Sequence, residues 1–124
     1  MSSFNLPKKF SRKGTFADLL VRLIVDRRNG DAPAVYTAAR IDRRTYSSIV
    51  SNPFRAVSKR TAVQFALALK LKRPDAERLL QAAGYAFSPA IPEDMVVAAS
   101  IEKGEYGLFR VNERLSEMGL KAMH

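Results

Sequence analysis

The chain has 124 residues, of which 47% are hydrophobic, and its 21 basic and 12 acidic residues give a formal net charge of +9. This length and this apolar content predict one globular domain with its own core, and they exclude a chain that is disordered throughout. Cysteine is absent, which excludes disulfides, thiolate metal sites and cysteine nucleophiles, and the single histidine is the last residue, His124. We therefore expect no enzymatic activity, no bound metal and no cofactor.

No apolar run in the sequence is long enough to span a bilayer, and no apolar signal core follows the charged first residues. The lack of cysteine is compatible with a reducing compartment. We therefore expect a cytoplasmic protein with no membrane partner.

The positive charge is concentrated in the first half of the chain. Residues 1–60 contain 13 basic and 4 acidic residues, whereas residues 61–124 contain 8 of each. An even distribution indicates little more than solubility, but a concentrated excess is typical of a face that binds phosphates.

The chain begins with a polar, basic segment over residues 1–14, for which we expect a flexible arm. Its cations are candidates for phosphate contacts that form when a partner binds: Lys8, Lys9, Arg12 and Lys13. A first helix is predicted over 15–28, because Thr15 and Asp18 resemble a capping pair and apolar residues follow at helical spacing.

Two short helices with a tight break between them are predicted next. The first covers 33–39, Arg40 and Ile41 turn the chain, and Asp42 caps the second, over 43–51. The expected buried residues of this pair are Val35, Ala38, Ala39, Ile41, Tyr46 and Ile49.

The other side of the second helix carries two arginines and two serines: Arg43, Arg44, Ser47 and Ser48. They share one face because residues three and four apart are neighbours on a helix. A short helix with one buried edge and such an outer side is suited to a nucleic-acid groove.

Four further helices are predicted: one over 59–71 after the cap Ser58, and three more that start near residues 74, 92 and 106. The helix over 59–71 is apolar on nearly all sides, which predicts a central and buried position. Hydroxyls, cations and backbone N–H groups meet at its start, where candidate phosphate contacts are Lys59, Arg60 and Thr61. Because no strand alternation is visible, the expected fold class is all-α, a compact bundle of six to seven short helices.

The order of a capped helix, a short helix pair, Asn52-Pro53 and a buried alanine–leucine helix resembles the lambda-repressor-like (XRE-type) helix-turn-helix family. The resemblance covers residues 15–84, and residues 42–49 stand where the family has its recognition helix. The best matches at family core positions are Val35, Ala39, Ile41, Tyr46 and Ile49. The resemblance implies a five-helix bundle whose recognition helix enters a major groove, with base contacts from Arg43, Arg44, Ser47 and Ser48 and phosphate contacts from Lys59, Arg60 and Thr61.

Three residues depart from the family pattern. Tyr36 stands where the family usually has a small alanine, Arg40 where it often has glycine, and Ala32 where it commonly has glutamine. The bulk of Tyr36 is expected to separate the two helices, and Arg40 has a conformational cost if its φ is positive. Residues 85–124 have no counterpart in the family's minimal domain, and we expect a helical extension that packs on the bundle or mediates dimerisation.

Two functions are compatible with these patterns. The first is a DNA-binding transcription regulator, a homodimer on double-stranded DNA, in which the arm, Arg40, Arg55, Lys59 and Arg60 hold phosphates. The alternative is a non-enzymatic interaction module whose partner is RNA or an acidic, operon-encoded protein such as a toxin. Tyr36 and Arg40 favour the alternative, because they depart from the DNA-binding pattern.

Overall fold

A computed structural model describes residues 13–123 of the chain. Within that range it contains seven helices and no strand: α1 (Phe16–Arg28), α2 (Ala32–Ala38), α3 (Arg43–Ser51), α4 (Lys59–Ala68), α5 (Arg73–Ala82), α6 (Pro92–Glu102) and α7 (Leu108–Glu117). The all-α fold class is thereby confirmed. Lys8, Lys9 and Arg12 of the expected arm lie outside the described residues.

The longest of these helices, α1, has 13 residues. None of the helices in the described range has the length and apolar character that crossing a bilayer requires.

A side chain caps each of the first four helices. The cap oxygens accept hydrogen bonds from backbone N–H groups three residues on, with Thr15, Asp31, Asp42 and Ser58 as the acceptors. These bonds satisfy donors that have no partner within the first turn of a helix. The starts expected for α1, α3 and α4 are confirmed, and α2 starts one residue early because Asp31 is its cap.

Helix α4 occupies the centre of the core. Every residue from Ala62 to Ala68 is buried, as its apolar character predicts, and the helix packs against α2, α5 and α7. The one polar side chain in this stretch, Gln64, donates a hydrogen bond to the carbonyl of Ala39 at 2.9 Å. This bond ties α4 to the turn between α2 and α3.

Aromatic rings connect α4 to the first three helices. The ring of Phe65 lies 6.2 Å from that of Phe16 on α1 and 6.3 Å from that of Tyr46 on α3. Tyr36 on α2 in turn lies 5.1 Å from Tyr46. The large side chain at position 36 is therefore accommodated by a ring contact between α2 and α3, and the two helices remain packed together.

The last three helices belong to the same core as the first four. Helix α6 packs against α5 and α7, and α7 packs against α4. After the end of α7 the chain turns back toward the core, and Met123 is fully buried. Asn112 holds this segment, because its amide donates to the carbonyl of Met123 and accepts from the N–H of Met123, both at 2.8 Å.

Two positions differ from the expected burial pattern. Ala38 is exposed, because the buried stripe of the short helix α2 runs through Val35 and Ala39, and Ala38 lies about 100° from Ala39 around the helix axis. The sequence also predicts that Met118 shares one side of the last helix with Leu108, Val111 and Leu115, but Met118 follows the end of α7 and is exposed.

The turn between α2 and α3 places Arg40 in the left-handed region, with φ 58°. The N–H of Ile41 donates to the carbonyl of Tyr36 at 2.9 Å, and that of Arg40 donates to Thr37 at 3.0 Å. This Schellman pattern usually has glycine at the left-handed position. The same pattern ends α4, where Lys70 has φ 53°.

Replacing Arg40 by glycine should stabilise the protein, because glycine adopts this conformation without the clash of a Cβ atom. We expect Arg40→Gly to raise the free energy of unfolding by roughly 0.5–1 kcal/mol. This is a net value, because glycine has more conformational entropy than arginine in the unfolded chain and loses more of it on folding. Urea denaturation followed by circular dichroism measures the change.

The matched control is Arg78→Gly, which makes the same replacement at an exposed site inside α5. This variant should lose about 1 kcal/mol, because the backbone there is helical and glycine is a poor helix former. A loss of stability in both variants contradicts the assignment of strain to Arg40.

Candidate nucleic-acid interface

Helix α3 has a buried side and an exposed side. Ile49 is 1% exposed, and half-buried Tyr46 contacts the rings of Tyr36 and Phe65. Burial raises the pKa of Tyr46 above its ordinary value, and neighbouring Tyr36 adds to this shift. The exposed side consists of Arg43, Arg44, Ser47 and Ser48, which we call the α3 outer face.

The α3 outer face lies at the surface because α3 packs against α1 and α2 through its other side. Among residues 13–123, neither Arg43 nor Arg44 forms an ion pair with a carboxylate. The structure therefore brings together the four side chains that the sequence assigned to base contacts, and it leaves their charge available to an external anion.

Asp42 determines where α3 begins. Its carboxylate accepts a hydrogen bond from the N–H of Thr45 at 2.6 Å. This backbone bond holds the pKa of Asp42 below its ordinary value, and the Thr45 hydroxyl and the charge of Arg44 lower the pKa further. The anion at this end also offsets the unfavourable position of two arginines in the first turn, where the helix dipole is positive.

Removing the cap should destabilise the helix. We expect Asp42→Ala to lower the melting temperature at pH 7, because the N–H of Thr45 loses its acceptor, whereas Asp42→Asn keeps an acceptor and loses less. Thermal unfolding followed by circular dichroism compares the two variants.

The two variants should also differ in their response to acid. A carboxylate whose pKa is lower in the folded state stabilises that state above its unfolded pKa, near 3.8, and this contribution is lost as pH falls through the folded pKa. Between pH 6 and pH 3, wild-type protein should therefore lose more stability than Asp42→Asn. Equal losses contradict an anionic role for this cap.

Two of the expected phosphate contacts are exposed cations at the ends of α3. Arg40 precedes the helix, and Arg55 follows it in the loop 52–58. Arg40 also lines a shallow cleft with residues of α7, among them Phe109, Glu113 and Glu117. Two carboxylates therefore lie near this cation, and Phe109 beside it is 70% exposed. Lys13 is exposed at the start of the described chain.

The side chains at the start of α4 have partners inside the protein. Lys59 Nζ lies 2.6 Å from Oδ2 of Asp94, whose side chain is 4% exposed and also accepts from the N–H of Ser88 at 2.8 Å. Thr61 is bonded to the cap: its N–H donates to Ser58 Oγ at 3.1 Å, and its own Oγ1 accepts from the Ser58 hydroxyl at 2.9 Å.

Arg60 connects α4 to two parts of the C-terminal region. Its guanidinium donates to Glu93 at 2.6 Å and to the carbonyls of Lys121 and Ala122 at 2.7 Å each. The structure thus gives Lys59 and Arg60 partners within the fold, where both cations hold the C-terminal helices on the bundle, and their role as phosphate contacts stays a prediction.

Sequence reasoning missed this role because the partners are 33 to 62 residues away along the chain. One signal was available in the sequence. Two adjacent cations, Lys59 and Arg60, have a counterpart in two adjacent carboxylates, Glu93 and Asp94.

The Lys59–Asp94 pair should contribute measurably to stability. We expect Asp94→Ala to lower the free energy of unfolding by about 2–3 kcal/mol, because Lys59 and the N–H of Ser88 both lose their partner in a mostly buried site. Chemical denaturation measures this loss.

The matched control is Glu102→Ala, which removes the exposed carboxylate that pairs with Arg73 at 3.4 Å. This change should cost less than about 0.5 kcal/mol, because exposed ion pairs are screened by water and salt. Similar losses in both variants contradict the structural role assigned to Asp94.

The fold and the α3 outer face together define a helical bundle that presents a short cationic helix at its surface. No protein-family model matches the sequence, and no curated protein or solved structure matches the chain. The family resemblance therefore stays a prediction from the residue pattern.

Proposed function

We propose that the protein is a non-enzymatic transcription regulator that binds double-stranded DNA in the cytoplasm and places α3 in the major groove. The α3 outer face is the observation that carries the proposal. A helix with its side chains fills a major groove about 12 Å wide. Arg43 and Arg44 can each donate two hydrogen bonds to guanine, and the hydroxyls of Ser47 and Ser48 can bond to several bases.

The phosphate contacts in this proposal come from the cations of the basic arm and from exposed cations at the two ends of α3. Arg40 and Arg55 lie at its two ends, and Lys13 with Lys8, Lys9 and Arg12 of the basic arm provide further positive charge. Such contacts fix the position of a protein on the duplex, whereas base contacts determine sequence preference. Lys59 and Arg60 are left out of the set, because they have carboxylate partners within the fold.

The proposal includes a homodimer, because two copies of α3 related by a two-fold axis read both halves of a palindromic site. Met95 at α6 and Met118 after α7 are about half exposed and provide apolar surface for a second copy. Sedimentation equilibrium of the protein alone and with duplex measures the stoichiometry.

The test of DNA binding begins with selection of bound duplexes from a genomic library. We expect Arg43→Ala combined with Arg44→Ala to remove the preference for the selected sequence, because each bidentate contact with guanine discriminates by roughly 10- to 100-fold. A gel-shift titration with the selected and a scrambled duplex measures this preference.

The matched control for that variant is Arg78→Ala combined with Arg110→Ala, which removes the same charge from exposed sites on α5 and α7. This control should keep the sequence preference of wild type. If the α3 variant also keeps its preference, α3 does not read bases and the proposal is wrong.

A second candidate function is binding to a protein partner, which the exposed ring of Phe109 beside Arg40 favours. Salt distinguishes the two candidates. DNA affinity should fall by several-fold or more between 50 and 200 mM salt, because neutralising phosphates releases counterions, at about 0.9 counterions per phosphate contact. The affinity of a largely apolar protein contact should change little with salt. Competition by RNA in the same titration identifies an RNA ligand.

A further inference from the structure

A second concentration of positive charge lies in a cleft of about 550 Å³, where the turn between α4 and α5 meets the end of α6. The cleft is lined by four basic residues, one carboxylate and two apolar or aromatic side chains: Lys70, Lys72, Arg73, Lys103, Glu102, Ile101 and Tyr106. No residue of α3 contributes to it. Its volume is within the range of pockets that hold small molecules.

Three ammonium groups in this cleft have no carboxylate within ion-pair distance in the part of the chain that the structure describes, although the charge of Lys103 contributes to lowering the pKa of Glu105. Lys70, Lys72 and Lys103 are exposed, and none of them forms an ion pair within residues 13–123. Glu102 is the one carboxylate that lines the cleft, and a single negative charge does not balance four cations. Its ion pair is with Arg73, which also pairs with Glu77 at 3.2 Å. The cleft therefore has a surplus of positive charge.

The three lysines come from two segments of the fold, the connection between α4 and α5 and the end of α6. Lys70 lies in the α4–α5 turn, Lys72 immediately before α5, and Lys103 immediately after α6. Placing like charges around one concavity raises the local positive potential and attracts anions. Ammonium groups on flexible stems bind phosphate as point charges, without the fixed geometry of a guanidinium.

The wall of the cleft has an apolar component. Tyr106 is half-buried, and its hydroxyl donates to the carbonyl of Leu71 at 3.0 Å, which fixes the side chain against the α4–α5 turn. Ile101 on α6 is buried beside it. A ligand that has both phosphate groups and a flat or apolar part matches this combination of side chains.

We propose that this cleft binds a phosphate-bearing small molecule about the size of a mononucleotide. Its phosphates contact Lys70, Lys72 and Lys103, and its remaining part lies against Tyr106 and Ile101. The site is separate from the α3 outer face, so the proposal does not depend on DNA binding.

Isothermal titration of the full chain in 0.1 M salt with tripolyphosphate and with ATP, without added metal, tests the site. The variant K70Q/K72Q/K103Q should bind both probes roughly 10- to 100-fold more weakly than wild type, because three contacts to phosphate are lost. The matched control R78Q/R110Q/K121Q removes the same charge from exposed residues outside the cleft and should bind as wild type does. Circular dichroism verifies that both variants are folded.

The two probes distinguish the sources of phosphate. Tighter binding of ATP than of tripolyphosphate indicates a nucleotide that uses the Tyr106 wall, and equal binding indicates that the phosphates alone are recognised; both support the site. Absence of binding, or equal weakening in the two triple variants, overturns the proposal.

The α3 variant R43A/R44A separates this site from the proposed DNA function. It should bind both probes with wild-type affinity even where it has lost its preference for DNA sequence. If a duplex displaces the probes from wild-type protein, the cleft belongs to the nucleic-acid surface and the small-molecule proposal is wrong.

Discussion

The burial of α4 from Ala62 to Ala68 is the constraint on which the rest of the fold depends. A helix without a solvent-facing side over Ala62–Ala68 requires neighbours all around it, and α2, α5 and α7 provide them. The buried amide of Gln64 needs a partner in this core, and it finds the carbonyl of Ala39. That bond fixes the turn between α2 and α3 relative to α4. With Ile49 buried as well, α3 has only one side left for solvent, and this side is the outer face with its two arginines.

The start of α4 explains how the C-terminal helices are held. Lys59 and Arg60 face Asp94 and Glu93 at the start of α6, and Arg60 also holds the backbone carbonyls of residues 121 and 122. Positive charge from the first half of the sequence is therefore neutralised in part by the second half. Within residues 13–123, two groups of cations without ion pairs lie on α3 and at its ends, and in the cleft lined by Lys70, Lys72 and Lys103.

Local signals made much of the fold predictable from the sequence. The caps Thr15, Asp42 and Ser58 act within three residues, and the apolar character of residues 62–69 is enough to indicate a buried helix. The exposure of the α3 outer face followed from helical spacing. What could not be predicted depends on tertiary packing: the partners of Lys59 and Arg60 are distant in sequence, and the exposure of Ala38 depends on which stripe of a short helix meets its neighbours. The positive φ of Arg40 depends on the Schellman turn, which the residue types alone do not specify.

In the proposed complex, α3 presents its outer face to the duplex while the C-terminal helices remain packed on the bundle. The most direct measurement is an NMR titration of isotope-labelled protein with a selected duplex, followed through the backbone amide shifts. For the proposed complex we expect the largest changes over residues 40–48 and at Arg55, with α6 and α7 nearly unchanged. Changes concentrated in α6 and α7, with the amides of α3 unaffected, would contradict it.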